Sequence, residues 1–256
     1  TLREPLLRAA ERWDDLVVLI ERKLQGLTDN LLRRDELLDL AAIREHGQGN
    51  KVGALEALTR ALGEDPGDAG VLDALERLAA ELGAWEEEYR VWMGRASKAS
   101  EPAQAGELLR RAGRLAEHEL SDVSRAIDAF SAAAAHDDDA EETLDALDRL
   151  YTQAERWDSL LDVIERRVAS SQNPAARAEL LLRLGDLRER VFNDGRGAFV
   201  AYSEVLENDP ADQRALTGMM QLGQHTELAH DVLDVLERCY RDTNAIDRVV
   251  ELYDLR

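Results

Sequence analysis

Chemistry in a protein needs nucleophiles, proton carriers or metal ligands that converge, and the 256-residue sequence has few of them. Its single cysteine, Cys239, can form no internal disulfide. With no Lys, His or second Cys placed to activate it, Cys239 reads as a small buried filler on an apolar helix face. His46 and His118 stand 72 residues apart, with Arg190 a further 72 along. Helices stacked at roughly 9–10 Å intervals would hold these positions too far apart to share a metal ion. They read as polar residues near helix ends. Asp137-Asp138-Asp139 lacks the alternating ligands and bidentate Glu of a calcium loop, so its expected role is to cap the following helix. Gly195-Arg196-Gly197 has neither a preceding strand nor a Gly-Lys-Ser/Thr ending, so it does not make a phosphate cradle. No Ser/His/Asp or Cys/His set can be assembled, and among 53 acidic residues a neighbouring pair of carboxylates decides nothing. The sequence names no catalytic residue, no cofactor-binding residue and no metal ligand. The expectation is a protein that is not an enzyme.

What the sequence does contain is a period. Trp13, Trp85 and Trp157 are spaced by 72 residues, and the next step falls on Ala229. Leu19, Val91, Val163 and Val235 share a column, as do Ile20, Trp92, Ile164 and Leu236. Leu72, Leu144 and Leu216 align, then Leu75, Leu147 and Met219, then Leu78, Leu150 and Leu222. Ala54, Ala126 and Ala198 form another column, Leu58, Phe130 and Tyr202 another, and Asp65, Asp137 and Asp209 a third. Apolar columns kept without insertion, while polar positions vary, describe one buried framework used repeatedly.

Composition agrees. Hydrophobic residues are 45% and charged residues 33% of the chain, enough for a core and too apolar for disorder. Aromatics are only 5%, and Ala, Leu, Glu and Arg dominate, a helix-forming mixture. The net charge of −21 repels phosphate backbones and anionic headgroups, so nucleic acid is not an expected partner. No apolar run approaches the roughly 20 residues that span a bilayer, so no direct membrane insertion is expected. With no signal peptide or transmembrane stretch in view, the cytoplasm is favoured.

The helical period appears throughout: Ala126, Ile127, Phe130, Ala133 and Ala134 share one face. The expected helices run near 2–11 and 13–25; then 34–46, 51–64, 69–82 and 85–98; 102–118, 122–136, 140–153 and 156–170; 174–191, 195–208, 212–224 and 227–241; and finally 245–256. That makes about 15 helices and no strands. Asn173 before Pro174 is a capping residue before a first-turn proline, and the turn from Ser97 to Pro102 repeats it one unit earlier. Asp139 with Glu142 resembles a capping box. The expected division is a partial unit over 1–30, units over 31–102, 103–174 and 175–246, and the start of another over 247–256, all in one array. With no polar capping helix at either end, and Ile246, Val249, Val250 and Leu252 forming an apolar face, the array is expected to be part of a longer one or to meet other chains at its ends.

Leu184-Gly185, Ala198, Tyr202 and Pro210 fall where the tetratricopeptide repeat (TPR) pattern has its Leu-Gly, small, aromatic and proline residues. Ala112-Gly113, Ala126, Phe130 and Ala133 repeat this, with Asp138 in the proline place, and Leu40-Ala41, Ala54, Leu58, Ala61 and Pro66 do likewise. Leu147, Tyr151, Trp157, Leu160 and Ile164 look like a diverged copy. The 72-residue unit thus resembles two unequal TPR-like hairpins, like those of long bacterial TPR arrays. The resemblance implies an all-α, right-handed α-solenoid of stacked antiparallel hairpins. It also implies a concave surface lined by the first helix of each pair, and protein binding as the function.

On that reading the polar residues facing the groove are Asp73 with Arg77, Arg110 with Arg114, His118, Asp145 with Arg149, and Asp186 with Arg190. Three of these couples are i, i+4 ion pairs that would also help solvate a helix by a few tenths of a kcal/mol. The expected function is a non-catalytic protein–protein interaction scaffold holding a peptide or helix of a partner protein, with other copies of the chain as further partners through uncapped ends. The alternatives are a regulatory or sensory arm of a larger protein and a structural spacer. No cofactor is expected.

Overall fold

The computed structural model describes residues 3–136, 141–224, 227–245 and 247–248. Among them are fourteen helices and no strand. They are α1 Arg3–Ala9, α2 Trp13–Gly26, α3 Asn30–Ala42, α4 Lys51–Glu64, α5 Ala69–Leu82, α6 Trp85–Ala96, α7 Pro102–His118, α8 Val123–Ala134, α9 Glu141–Gln153, α10 Trp157–Ser170, α11 Pro174–Arg190, α12 Gly195–Asn208, α13 Gln213–Leu222 and α14 Ala229–Asp242. The expected Asp137–Asp139 cap, the Asp139–Glu142 capping box and the apolar face of Ile246, Val249, Val250 and Leu252 lie outside the described residues. The chain forms two compact units, residues 1–137 and 138–256. The first contains α1 to α8 and the second α9 to α14.

The helices begin where short polar side chains capture free backbone amides. Asn50, Asp122 and Asp194 share one repeat column, and each accepts from the amide three residues on: Gly53, Arg125 and Gly197. Asp68 and Asp212 cap α5 and α13 in the same way. The turns repeat as closely as the caps. Glu11, Gly83 and Glu155 share a column and a left-handed backbone, with φ of 50°, 62° and 53°. Gly49, Ser121 and Asn193 share another, with φ of 65°, 51° and 52°. The 72-residue period is therefore one of backbone geometry as well as of side-chain type.

Within each unit the helices pack in chain order, with α3 on α4, α7 on α8 and α11 on α12 as the most extensive pairs. Aromatic and small residues are matched in these pairs. An added Cβ at Gly113 would lie 2.7 Å from the Phe130 ring, and one at Gly185 would lie 2.4 Å from the Tyr202 ring. In the first repeat the same two columns hold Ala41 and Leu58, both buried, so a larger partner is met by a smaller ring-free side chain.

Three details differ from expectation. α3 begins at Asn30 and not near residue 34, because Asp29 accepts from the Leu32 amide and starts the helix inside the polar turn. α3 then ends in a π turn, Ile43–Gly47. Gly47 lies where a Cβ would come within 2.7 Å of the Trp13 ring, so the wider turn carries the backbone past the indole. Finally, Trp13, Trp85 and Trp157 are each the first residue of a helix and only half buried. The tryptophan wholly inside the protein is Trp92. Cys239 is buried in α14, and burial pushes its thiol pKa up, as a filler role requires.

Candidate functional site

Charged residues on the first helix of one hairpin reach those of the next, and they do so in register. In the first unit Glu76 of α5 pairs with Arg111 of α7 at 2.9 Å. One period later, in the second unit, Asp148 of α9 takes the Glu76 place and Arg183 of α11 the Arg111 place, at 2.6 Å. Arg167 of α10, one period from Arg95, also binds Asp148 and reaches Asp145. Asp148 is 2% exposed, so two guanidinium groups neutralise a carboxylate buried at the helix joint.

Beside each of these pairs the surface opens into a cleft. The first, of about 490 Å³, lies among α5, α6 and α7 and is lined by Glu76, Glu88, Trp92, Arg111, Arg114 and His118, with Glu107, Leu115 and Glu119 completing its rim. The second, of about 370 Å³, is lined by Arg167, Glu179, Leu180, Arg183, Asp186 and Arg214. Glu107 and Glu179, Arg111 and Arg183, and Arg114 and Asp186 are equivalent positions one period apart. Two of these columns keep their charge, and the third reverses it.

Glu88 is the anomaly of the first cleft. Its column holds Leu16, Leu160 and Val232 in the other repeats, all buried, and Glu88 is itself only 8% exposed. Its Oε1 accepts from the Trp92 indole N–H at 3.2 Å, while Oε2 is buried and has no hydrogen-bond partner. Burial raises the carboxyl pKa; the indole bond pulls it down, and the charges of Glu76 and Glu119 push it up again. Trp92 carries Arg111 at 5.3 Å and Arg95 at 5.4 Å from its ring centroid, cation–π distances that fix the indole against α7. Burial alone would also raise Glu107, but Arg110, Arg114 and Arg111 together hold its carboxyl below the usual range.

Of the residues expected to face a groove, Arg114 and His118 line the first cleft and Asp186 the second. Asp186 also accepts from the Tyr202 hydroxyl at 2.9 Å and approaches Arg190 at 3.8 Å. Arg77 does not turn to Asp73: it pairs with Glu45 of the π turn at 2.8 Å and with Glu81 at 2.9 Å, leaving Asp73 exposed on α5. Arg110 is half buried against Glu107, with Nη1 lacking a partner. Asp145 pairs with Arg167 across to α10, and Arg149 is exposed on α9. His46, on the π turn, is also exposed. Among the described residues no three His, Cys, Asp or Glu side chains come together as a metal site would need. No described helix is long and apolar enough to cross a membrane. Glu76, Glu88, Trp92, Arg111, Asp148, Arg167 and Arg183 were not among the expected groove residues. Their signal lay in the columns: a carboxylate in an otherwise aliphatic one, and acid and arginine columns repeated at one period.

The matched Gly113–Phe130 and Gly185–Tyr202 contacts put small and aromatic residues face to face at the TPR positions of the α7–α8 and α11–α12 hairpins. The fold is a TPR-like helical repeat. No family model matches the chain, and no curated protein does. Solved structures of other proteins are similar to it at low identity. A crystal structure of MamA is 14% identical, with 81% of this chain and 96% of that one covered and a TM-score of 0.39. YrrB, described as a TPR protein with an unusual peptide-binding site, is 13% identical over 71% of this chain and 89% of its own, with a TM-score of 0.38. PilF of Pseudomonas aeruginosa is 14% identical over 86% of this chain and 95% of its own, with a TM-score of 0.37.

Proposed function

We propose that the chain is a non-catalytic protein-interaction scaffold that holds a segment of a partner protein, extended or helical, in the clefts beside its first helices. The observation carrying this reading is the repetition of the cleft. One in each unit lies against α7 or α11 at three equivalent lining positions, Glu107 with Glu179, Arg111 with Arg183 and Arg114 with Asp186. The opposite walls come from α5 and α6 in the first and from α10 and α13 in the second. A cleft that recurs with the framework, yet changes sign at Arg114 and Asp186, has a constant scaffold and a variable lining. That is the arrangement a modular reader of side chains needs. We take the 72-residue blocks 31–102, 103–174 and 175–246 as the modules.

Crosslinking mass spectrometry on the native protein tests this. Partner crosslinks are expected on α7 and α11. The paired reversal Glu107→Arg with Glu179→Arg, one carboxylate in each cleft, should remove them at low salt while the circular-dichroism spectrum stays helical. Undiminished capture by the double variant would sink the assignment of the clefts.

A further inference from the structure

The first cleft differs from the second in one respect that packing does not account for. A leucine or valine fills the Glu88 column everywhere else, so the framework accepts an apolar side chain there without change. A buried carboxylate in that place is costly unless a cation or several donors meet it. Only the Trp92 indole does, on one oxygen. The remaining charges point the same way. Four carboxylates line the cleft, Glu76, Glu88, Glu107 and Glu119, against two guanidinium groups. Those two are already engaged: Arg111 by Glu76 and Glu107, and Arg114 by Glu107. An anion entering here would meet uncompensated carboxylates. A cation would meet Glu88 in the cleft lining, a carboxylate whose Oε2 has no hydrogen-bond partner.

Resting on the scaffold reading, we infer that the cleft among α5, α6 and α7 is the subsite for a basic side chain of the partner segment. The ammonium of a lysine or the guanidinium of an arginine sits against Glu88 and is flanked by Glu76 and Glu119. Trp92 acts as the positioning residue, its indole N–H holding the Glu88 carboxylate by the other oxygen. The Arg114/Asp186 alternation runs against this and is outweighed by the rest of the lining, four carboxylates to two guanidinium groups in the first cleft against two carboxylates to three in the second, so the first takes positive charge.

The pH dependence has a definite sign. Glu88 must be ionised to hold the cation, and its pKa in the free protein is raised. Affinity is therefore full above that raised value and is lost as pH falls through it. The groups that line the cleft with Glu88 are Glu76 on α5, Trp92 on its own helix, Glu107, Arg111, Arg114 and His118 on α7, and Glu119 just past the end of α7.

The test uses the full chain and a fluorescein-labelled Lys-Ala repeat peptide, with acetyl-lysine and Glu-Ala versions of equal length, in fluorescence anisotropy at physiological salt. The Lys peptide should bind, its acetylated form should bind at least tenfold more weakly, and Glu88→Gln should lose at least tenfold. Glu207→Gln, the same charge change at an exposed site on α12, should change affinity less than twofold. Thermal melts should show Glu88→Gln no less stable than the parent. If Glu88→Gln binds the Lys peptide as the parent does, or the parent takes the Lys and Glu peptides equally, the inference is overturned while the clefts remain binding sites. If no peptide binds and crosslinking places no partner on α7 or α11, the scaffold reading falls with it.

Discussion

Trp92 shows how far a single residue can depart from its column without breaking it. Ile20, Ile164 and Leu236 fill the same place with aliphatic side chains. In the first unit the indole is 2% exposed, packs with Leu108, Leu109, Ala112 and Ala133, and is held by Glu88, Arg95 and Arg111. Trp157, at the start of α10, is only half buried. Trp92→Ala should therefore cost ~3–5 kcal/mol, and Trp157→Ala about 1–2 kcal/mol. Urea titrations of the two variants check the order. Equal losses would mean that burial is not what separates them. At this scale the sequence is legible where a column is uniform and hard to read where it breaks. Nothing in the residue types says that Glu88 points inward. Only its alignment with Leu16, Leu160 and Val232 does. The Asp73–Arg77 couple misleads for a related reason. Spacing brings Arg77 near Asp73, but Glu45 from the π turn offers a second carboxylate beyond Glu81, and the tertiary partner wins.

Among elements, the decisive contact is between the two helices of a hairpin. Gly113 on α7 admits the Phe130 ring of α8, while Ala41 faces Leu58 in the repeat before. Gly113→Ala alone should destabilise by about 1–3 kcal/mol through overpacking. Adding Phe130→Leu should return part of that, with a coupling of about 1 kcal/mol or more in a double-mutant cycle. Strict additivity would show that the two residues do not share that space. Helix positions themselves are legible to within a few residues, because caps such as Asn50, Asp122 and Asn173 and the proline at Pro174 are local chemistry. The π turn at Ile43–Gly47 is not, since its cause is the Trp13 ring, some thirty residues earlier in the chain. The start of α3 at Asn30 was hidden by a polar stretch, Gly26 to Asn30, that reads as turn until Asp29 is recognised as the cap.

For the molecule as a whole, charge is the dominant long-range quantity. A net charge of −21 repels itself, and many ion pairs that would be weakened by salt, such as Arg214–Glu179 and Lys51–Glu81, are exposed and contribute little. Screening should therefore help more than it harms. Raising NaCl from roughly 20 to 200 mM, which shortens the Debye length below about 10 Å, should raise the melting temperature by a few degrees. A falling melting temperature, followed by circular dichroism, would assign a larger share of stability to the exposed pairs.

Arg44 and Arg188 stand two periods apart and make the same bonds, to the Gly53 and Gly197 carbonyls and to Glu21 and Glu165. The middle repeat has Ala116 in that place and lacks the clamp. In this contact the outer two copies are alike and the middle one differs. An unequal crossover between their genes would excise two periods in frame, rejoin matching helices, and carry away Glu88 and Trp92 with the intervening coding sequence. Shortening by inheritance at the arginines themselves would take Arg167, Glu179, Arg183 and Asp186 as well, so both clefts would be lost together.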